Sequence, residues 1–129
     1  MLNMDYIFWL SITSDSFDKE EILSVLSLNY WKIVTKNQKK CISRDSWIYR
    51  IQSKSFEDGV LIFVDELKKH NDELLSLKKK GYILDIRCSV VSESGQIGWS
   101  IPETALSYFT ELGTELDFSV FSYGLVEDT

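Results

Sequence analysis

The sequence predicts an α+β fold, a two-layer sandwich in which helices cover one face of a mainly antiparallel sheet. Three observations predict it. Period-two alternation of apolar residues recurs in separate runs, capped helical stripes lie between them, and their order is β-α-β-β-α-β followed by an added β-α-β. The first two thirds therefore carry the split βαβ signature of ferredoxin-like chains. At 129 residues, with one proline and six glycines, the chain reads as a single α+β domain over 1–129 with no linker-like stretch.

Each element follows from its residues. "YIFWLSIT" places Tyr6, Phe8, Leu10 and Ile12 on one side and Trp9 on the other, as in a strand with one buried face. In "SFDKEEILSVLSL" Asp18 is the expected helix cap with Glu21 three residues on, Phe17 staples onto Ile22, and the helix is expected to reach about Leu28. "YWKIV" and "SWIYRIQ" are two strands joined by a polar, basic loop that carries Lys36, Lys39, Lys40 and Arg44. From Phe56 to Lys80 the apolar stripe of Val60, Phe63, Val64, Leu67 and Leu74 is helical, with Ser55 and Asp58 at its start and three lysines and Gly81 at its end. One straight helix of that length would run roughly 37 Å, so a break is expected at His70 and Asn71, with Asn71 capping the second piece. "YILDIRCSVV" is the next strand, with Tyr82, Leu84, Ile86, Cys88 and Val90 inward and Asp85, Arg87 and Ser89 outward. A reversal at Ser92–Gly95, a returning strand "QIGWS", and a helix opened by Ser100 and Glu103 and stopped by Gly113 come next. The last strand, "ELDFSVF", buries Leu116, Phe118 and Val120 and turns Asp117 and Ser119 outward, before a frayed tail "LVEDT".

Composition restricts the function. The net charge of −6 disfavours a nonspecific nucleic-acid binder, which must neutralise phosphates, and suits a basic partner. The longest apolar run, "YIFWL", is far short of the roughly 20 residues that span a bilayer, and the N-terminal residues lack a secretory pattern. Cys41 and Cys88 have no C-x-x-C spacing, so both are expected to be free thiols in the cytoplasm.

The early "FWLSI" strand before an acidic helix, "SWIYRI" at Trp47, the run "LLSLKKKGYILDIRCSV", the hairpin "ESGQIGWSIPE" and the closing "LGTELDFSVF" together resemble domain of unknown function 4279, a family of small, mostly bacterial proteins. The resemblance covers nearly the whole chain. It implies the α+β fold and a cytoplasmic setting, and it brings no activity and no catalytic residues.

Candidate chemistries are few. His70, the single histidine, would have to serve any Ser-His-Asp or Cys-His arrangement, and with Glu73 or Glu66 it offers two metal ligands where zinc sites need three or four. Cys41 beside Lys39 and Lys40 has an electropositive setting but no resolving cysteine, and Cys88 falls on the core register. The "SESGQIG" turn lacks phosphate-loop spacing and joins strand to strand, so chain reversal explains it. No catalytic residue, metal or cofactor is assigned.

The expected site is the outer sheet face, where Trp9, Arg50, Asp85, Arg87, Asp117 and Ser119 project as partner-binding residues, or else form a solvated face of cross-strand ion pairs. The expected function is that of a non-enzymatic cytoplasmic protein that binds a basic protein partner, such as an immunity-type inhibitor of a bacterial toxin. Two alternatives stand beside it. One is a small-molecule or peptide binder with a cleft near His70 and Asn71, and the other is an enzyme using Asp85 and Asp117 as acid and base.

Overall fold

A computed structural model describes residues 4–37, 39, 44–92, 100–114 and 116–122. Its elements are β1 (Met4–Thr13), α1 (Lys19–Val25), β2 (Lys32–Val34), β3 (Ser46–Ser53), α2 (Phe56–Lys69), α3 (Asn71–Lys79), β4 (Ile83–Ser92), α4 (Glu103–Leu112) and β5 (Leu116–Ser122). The class is α+β, a mixed five-stranded sheet with four helices. Strand order is β2-β3-β1-β4-β5, antiparallel throughout except that β5 runs parallel to β4. A parallel neighbour requires a crossover, and α4 lies on that connection. The expected returning strand "QIGWS", the turn before it, Lys40, Cys41 and the tail fall wholly or mostly outside the described residues.

The alternation read in the sequence sets the core. Phe8, Leu10 and Ile12 of β1, Trp47 and Tyr49 of β3, and Leu84, Ile86, Cys88 and Val90 of β4 are buried in one cluster with the helical stripes. α2 contributes Phe56, Val60, Phe63, Val64 and Leu67, α3 contributes Leu74 and Leu77, and α4 contributes Ala105, Tyr108, Phe109 and Leu112. Burial pushes the Cys88 thiol up to about 12, so it is an inert core residue.

Helix ends follow local chemistry, with three corrections. Asp18 caps α1 by accepting from the N–H groups of Glu20 and Glu21, and Ser55 caps α2 by accepting from Asp58. α1, however, ends at Val25, and Leu26 turns into extended backbone well before Leu28. The break after Lys69 is present, but His70 occupies the cap position and Asn71 is already helical, its side chain accepting from the Tyr108 hydroxyl at 3.0 Å. At α4 the cap position belongs to Pro102 and not to a Ser100–Glu103 box; its fixed φ of −58° leads the chain into the first turn.

The far end of α4 is closed from another helix. Gly113 adopts φ 71°, and Lys78 Nζ on α3 donates to the carbonyls of Leu112 at 2.7 Å and Gly113 at 3.1 Å. A cation there satisfies end carbonyls and offsets the helix dipole. Lys78→Met, which keeps the aliphatic stem, is expected to lower stability by about 1 kcal/mol, seen as a reduced urea midpoint with an unchanged slope.

Candidate functional site

The pleat sends the odd residues of β1 away from the helices, and pairing register aligns them across the sheet. One transverse row runs Arg50, Trp9, Arg87 and Asp117, and the next runs Lys32, Ile48, Ser11 and Asp85. Short side chains at Ser11, Thr13 and Ser46 between the bulk of Trp9 and Trp31 leave a depression. The result is a groove of about 590 Å³ lined also by Lys32, Val34, Ile48, Asp85, Arg87 and Asp117.

Trp31 forms the outer wall. It precedes β2, its N–H donates to the Ile48 carbonyl at 2.7 Å, and its ring lies 4.4 Å from Lys32 Nζ and 4.6 Å from the Arg50 guanidinium carbon. Arg50 is further held by a 3.2 Å bond to Gln52. Such cation–π contacts fix an aromatic wall at a gain of roughly 0.5–1 kcal/mol each when exposed. Trp31 nevertheless keeps 47% of its surface open.

Of the six expected partner-binding residues, Trp9, Asp85, Arg87 and Asp117 line the groove, and Arg50 stands beside it against Trp31. Ser119 is on the same face one row away, opposite Ser89, where the expected outward exposure fails: Ser89 is only 2% exposed. The outer face is open at the groove and closed at that end. Cross-strand ion pairs are also missing, because among the described residues Lys32, Asp85, Arg87 and Asp117 make no salt bridge. On β5, Phe118 is 37% exposed and Leu116 half-buried, since an edge strand has a neighbour on one side only; the Val120 side chain lies outside the described residues.

Sequence reasoning missed Trp31, Lys32 and the small-residue floor. Alternation in "YWKIV" puts Trp31 with Ile33 on the core side, yet only three residues pair as strand, and Trp31 turns outward ahead of the pleat. The juxtaposition of Trp and Lys before a short strand was the available signal. Of the basic loop, Lys39 is exposed, and Arg44 pairs with Asp15 at 3.5 Å.

The other candidates resolve into structure. Ser27, His70 and Glu73 meet with the composition of a triad but not its geometry. Ser27 Oγ donates to Glu73 at 2.7 Å, and both Ser27 Oγ at 3.1 Å and Glu73 at 3.2 Å face the same His70 nitrogen, Nδ1. A catalytic histidine needs its two nitrogens on opposite partners. The cluster instead clasps the end of α1 to the start of α3, while Glu66 pairs with Lys69 at 2.9 Å. Asp85 and Asp117 are diagonal neighbours on adjacent strands, about 7–8 Å apart between backbones, and both are exposed, so neither is the buried member that an acid–base pair requires.

The clasp predicts a pH dependence. Burial raises the Glu73 carboxyl, and the hydrogen bonds from the Ser27 hydroxyl, His70 and the Ser27 N–H outweigh it, leaving the group below its ordinary value of 4.5. A depressed folded value means stability that is present above the unfolded value and is lost as pH falls through the folded one. Glu73→Gln should therefore be less stable than the wild type at about pH 5.5, with the gap closing in denaturant titrations taken down through the carboxylate range.

Fold and site together define a class: an α+β protein with one sheet face sealed by helices and the other hollowed into a charged, tryptophan-walled groove. The chain belongs to the family described as Domain of unknown function (DUF4279), whose model matches residues 4–123. No curated protein and no solved structure matches it. Among the described residues no helix is long and apolar enough to cross a membrane.

Proposed function

We propose that this is a non-enzymatic, cytoplasmic protein-binding protein that docks a basic partner on its outer sheet face, in the manner of an immunity-type inhibitor that neutralises a toxin. The observation that carries the reading is the groove itself, where Trp9 and Trp31 stand beside Asp85, Arg87 and Asp117, charges left without ionic partners among the described residues. Tryptophan and arginine are the residue types that most often anchor interfaces, and unpaired charges at the surface are free to pair across one. The net charge of −6 steers a cationic partner over a range of about 8–10 Å at ordinary salt.

The test compares wild type, Asp117→Lys and Trp31→Ala with a control of the same charge change, Glu57→Lys, on the exposed side of α2. A bacterial protein retained by the wild type and the control, lost with both groove variants, weakened by salt, and toxic unless this chain is co-expressed would support the reading. Retention that ignores the groove variants, or toxicity that co-expression leaves unchanged, would overturn it. A second reading, a small-molecule or peptide ligand, is favoured by the groove's volume, which falls in the range of ligand pockets, and not by the His70–Asn71 region, whose side chains are engaged within the helical layer. A ligand-dependent rise in melting temperature that is lost in Trp31→Ala would select it.

A further inference from the structure

Two transverse rows that cross the groove share an order. Lys32 and Arg50 start them on β2 and β3, and Asp85 and Asp117 end them on β4 and β5. Between the ends lie Ile48 and Ser11 in one row and Trp9 and Arg87 in the other. Arg87 is a single cation set against two aspartates, so the β4–β5 end keeps an excess of negative charge and the β2–β3 end an excess of positive charge. Lys32 to Asp85 covers three strand spacings, about 14 Å. A groove polarised in this way does not select a uniformly basic occupant.

Resting on the protein-binding reading, we infer that the docked segment of the partner is bipolar, with a carboxylate over Lys32 and Arg50, an apolar or aromatic side chain against Trp9 and Ile48, and a cation over Asp85 and Asp117. Alternate residues of an extended segment face one side, and its first and fifth residues are about 13 Å apart, which matches the span. Trp31, already stacked on Lys32 and Arg50, holds those cations at the end that receives the carboxylate. The partner as a whole remains basic, and the bipolar segment sets its direction across the strands.

The probes are three acetylated, amidated pentapeptides, Glu-Thr-Tyr-Thr-Lys, Lys-Thr-Tyr-Thr-Lys and Glu-Thr-Tyr-Thr-Glu, titrated into the labelled full chain while the indole N–H signals of Trp9 and Trp31 are followed. The mixed peptide should bind about two- to fivefold more tightly than either uniform one, the scale of a single exposed ion pair. Lys32→Glu should invert the order and favour the all-lysine peptide. Equal or tighter binding of the all-lysine peptide by the wild type, no inversion in Lys32→Glu, or no response at Trp9 and Trp31 would each overturn the inference. The docking face itself is judged separately, by whether capture of the partner protein depends on Trp31.

Discussion

Phe63→Ala is expected to lose about 3–5 kcal/mol of folding stability. Phe63 is 0% exposed, and its ring lies 5.7 Å from Phe8 on β1 and 5.8 Å from Tyr49 on β3, nearly parallel to the latter at 22°. It is the point at which α2 presses on two adjacent strands. Truncation removes the transfer free energy of an aromatic ring and leaves a cavity whose walls, a central strand and a helix anchored at both ends, have little freedom to collapse. Phe63→Leu retains most of the volume and should lose much less. Urea or guanidinium unfolding of the two variants measures both, and a loss for Phe63→Ala below about 1.5 kcal/mol would mean that α2 repacks.

Gly59→Ala should also destabilise the fold, by about 1–2 kcal/mol, although in an exposed helix the same change gains close to 1 kcal/mol. Gly59 lies in the first turns of α2, where a Cβ would stand 2.6 Å from Phe8 Cε2 and 2.8 Å from Ser53 Cβ. Ser53 Cβ is fixed to the backbone of β3 and cannot swing away, so the helix must lift, and overpacking of this kind costs about 1–3 kcal/mol. Gly59→Val adds β-branching to a larger clash and should lose more. A higher unfolding midpoint for Gly59→Ala would show that α2 has room against the sheet for the added methyl.

These two positions mark what the sequence disclosed and what it did not. Phe63 was legible, because period and caps place it on the buried stripe, just as Tyr6 to Ile12 and Leu84 to Val90 are placed by alternation. Gly59 was not, since a glycine within a helical pattern carries no sign of how closely a strand approaches. The same division runs through the site. Trp9, Arg50, Asp85, Arg87 and Asp117 could be put on one face from strand register alone. Trp31 required tertiary knowledge, because it precedes the short β2 and its side chain leaves the pleat to lie on cations from two strands. Ser27 was invisible beside His70 and Glu73, being brought there by the end of α1 folding over α3. The cap of α4 was misplaced because Pro102, with its fixed φ, starts the helix without needing a side-chain acceptor.

Two arginines lie on the outer sheet face of a chain whose net charge is −6. Arg50 and Arg87 flank Trp9 in one row, and neither is in a salt bridge among the described residues. Arg50 is held by Trp31 and Gln52, whereas Arg87 has no such contact among the described residues; on the protein-binding reading proposed above, substituting Arg87 should alter recognition more than folding.

The middle position of β1 has a consequence for biosynthesis. That strand is made before both of its partners, so its ladders await residues 46–53 and 83–92. Until the ribosome has released the second of those segments, "YIFWL" keeps at least one edge without its partner strand. Nascent chains stalled before Ile83 should be protease-sensitive clients of chaperones, and the sheet should close only late in synthesis.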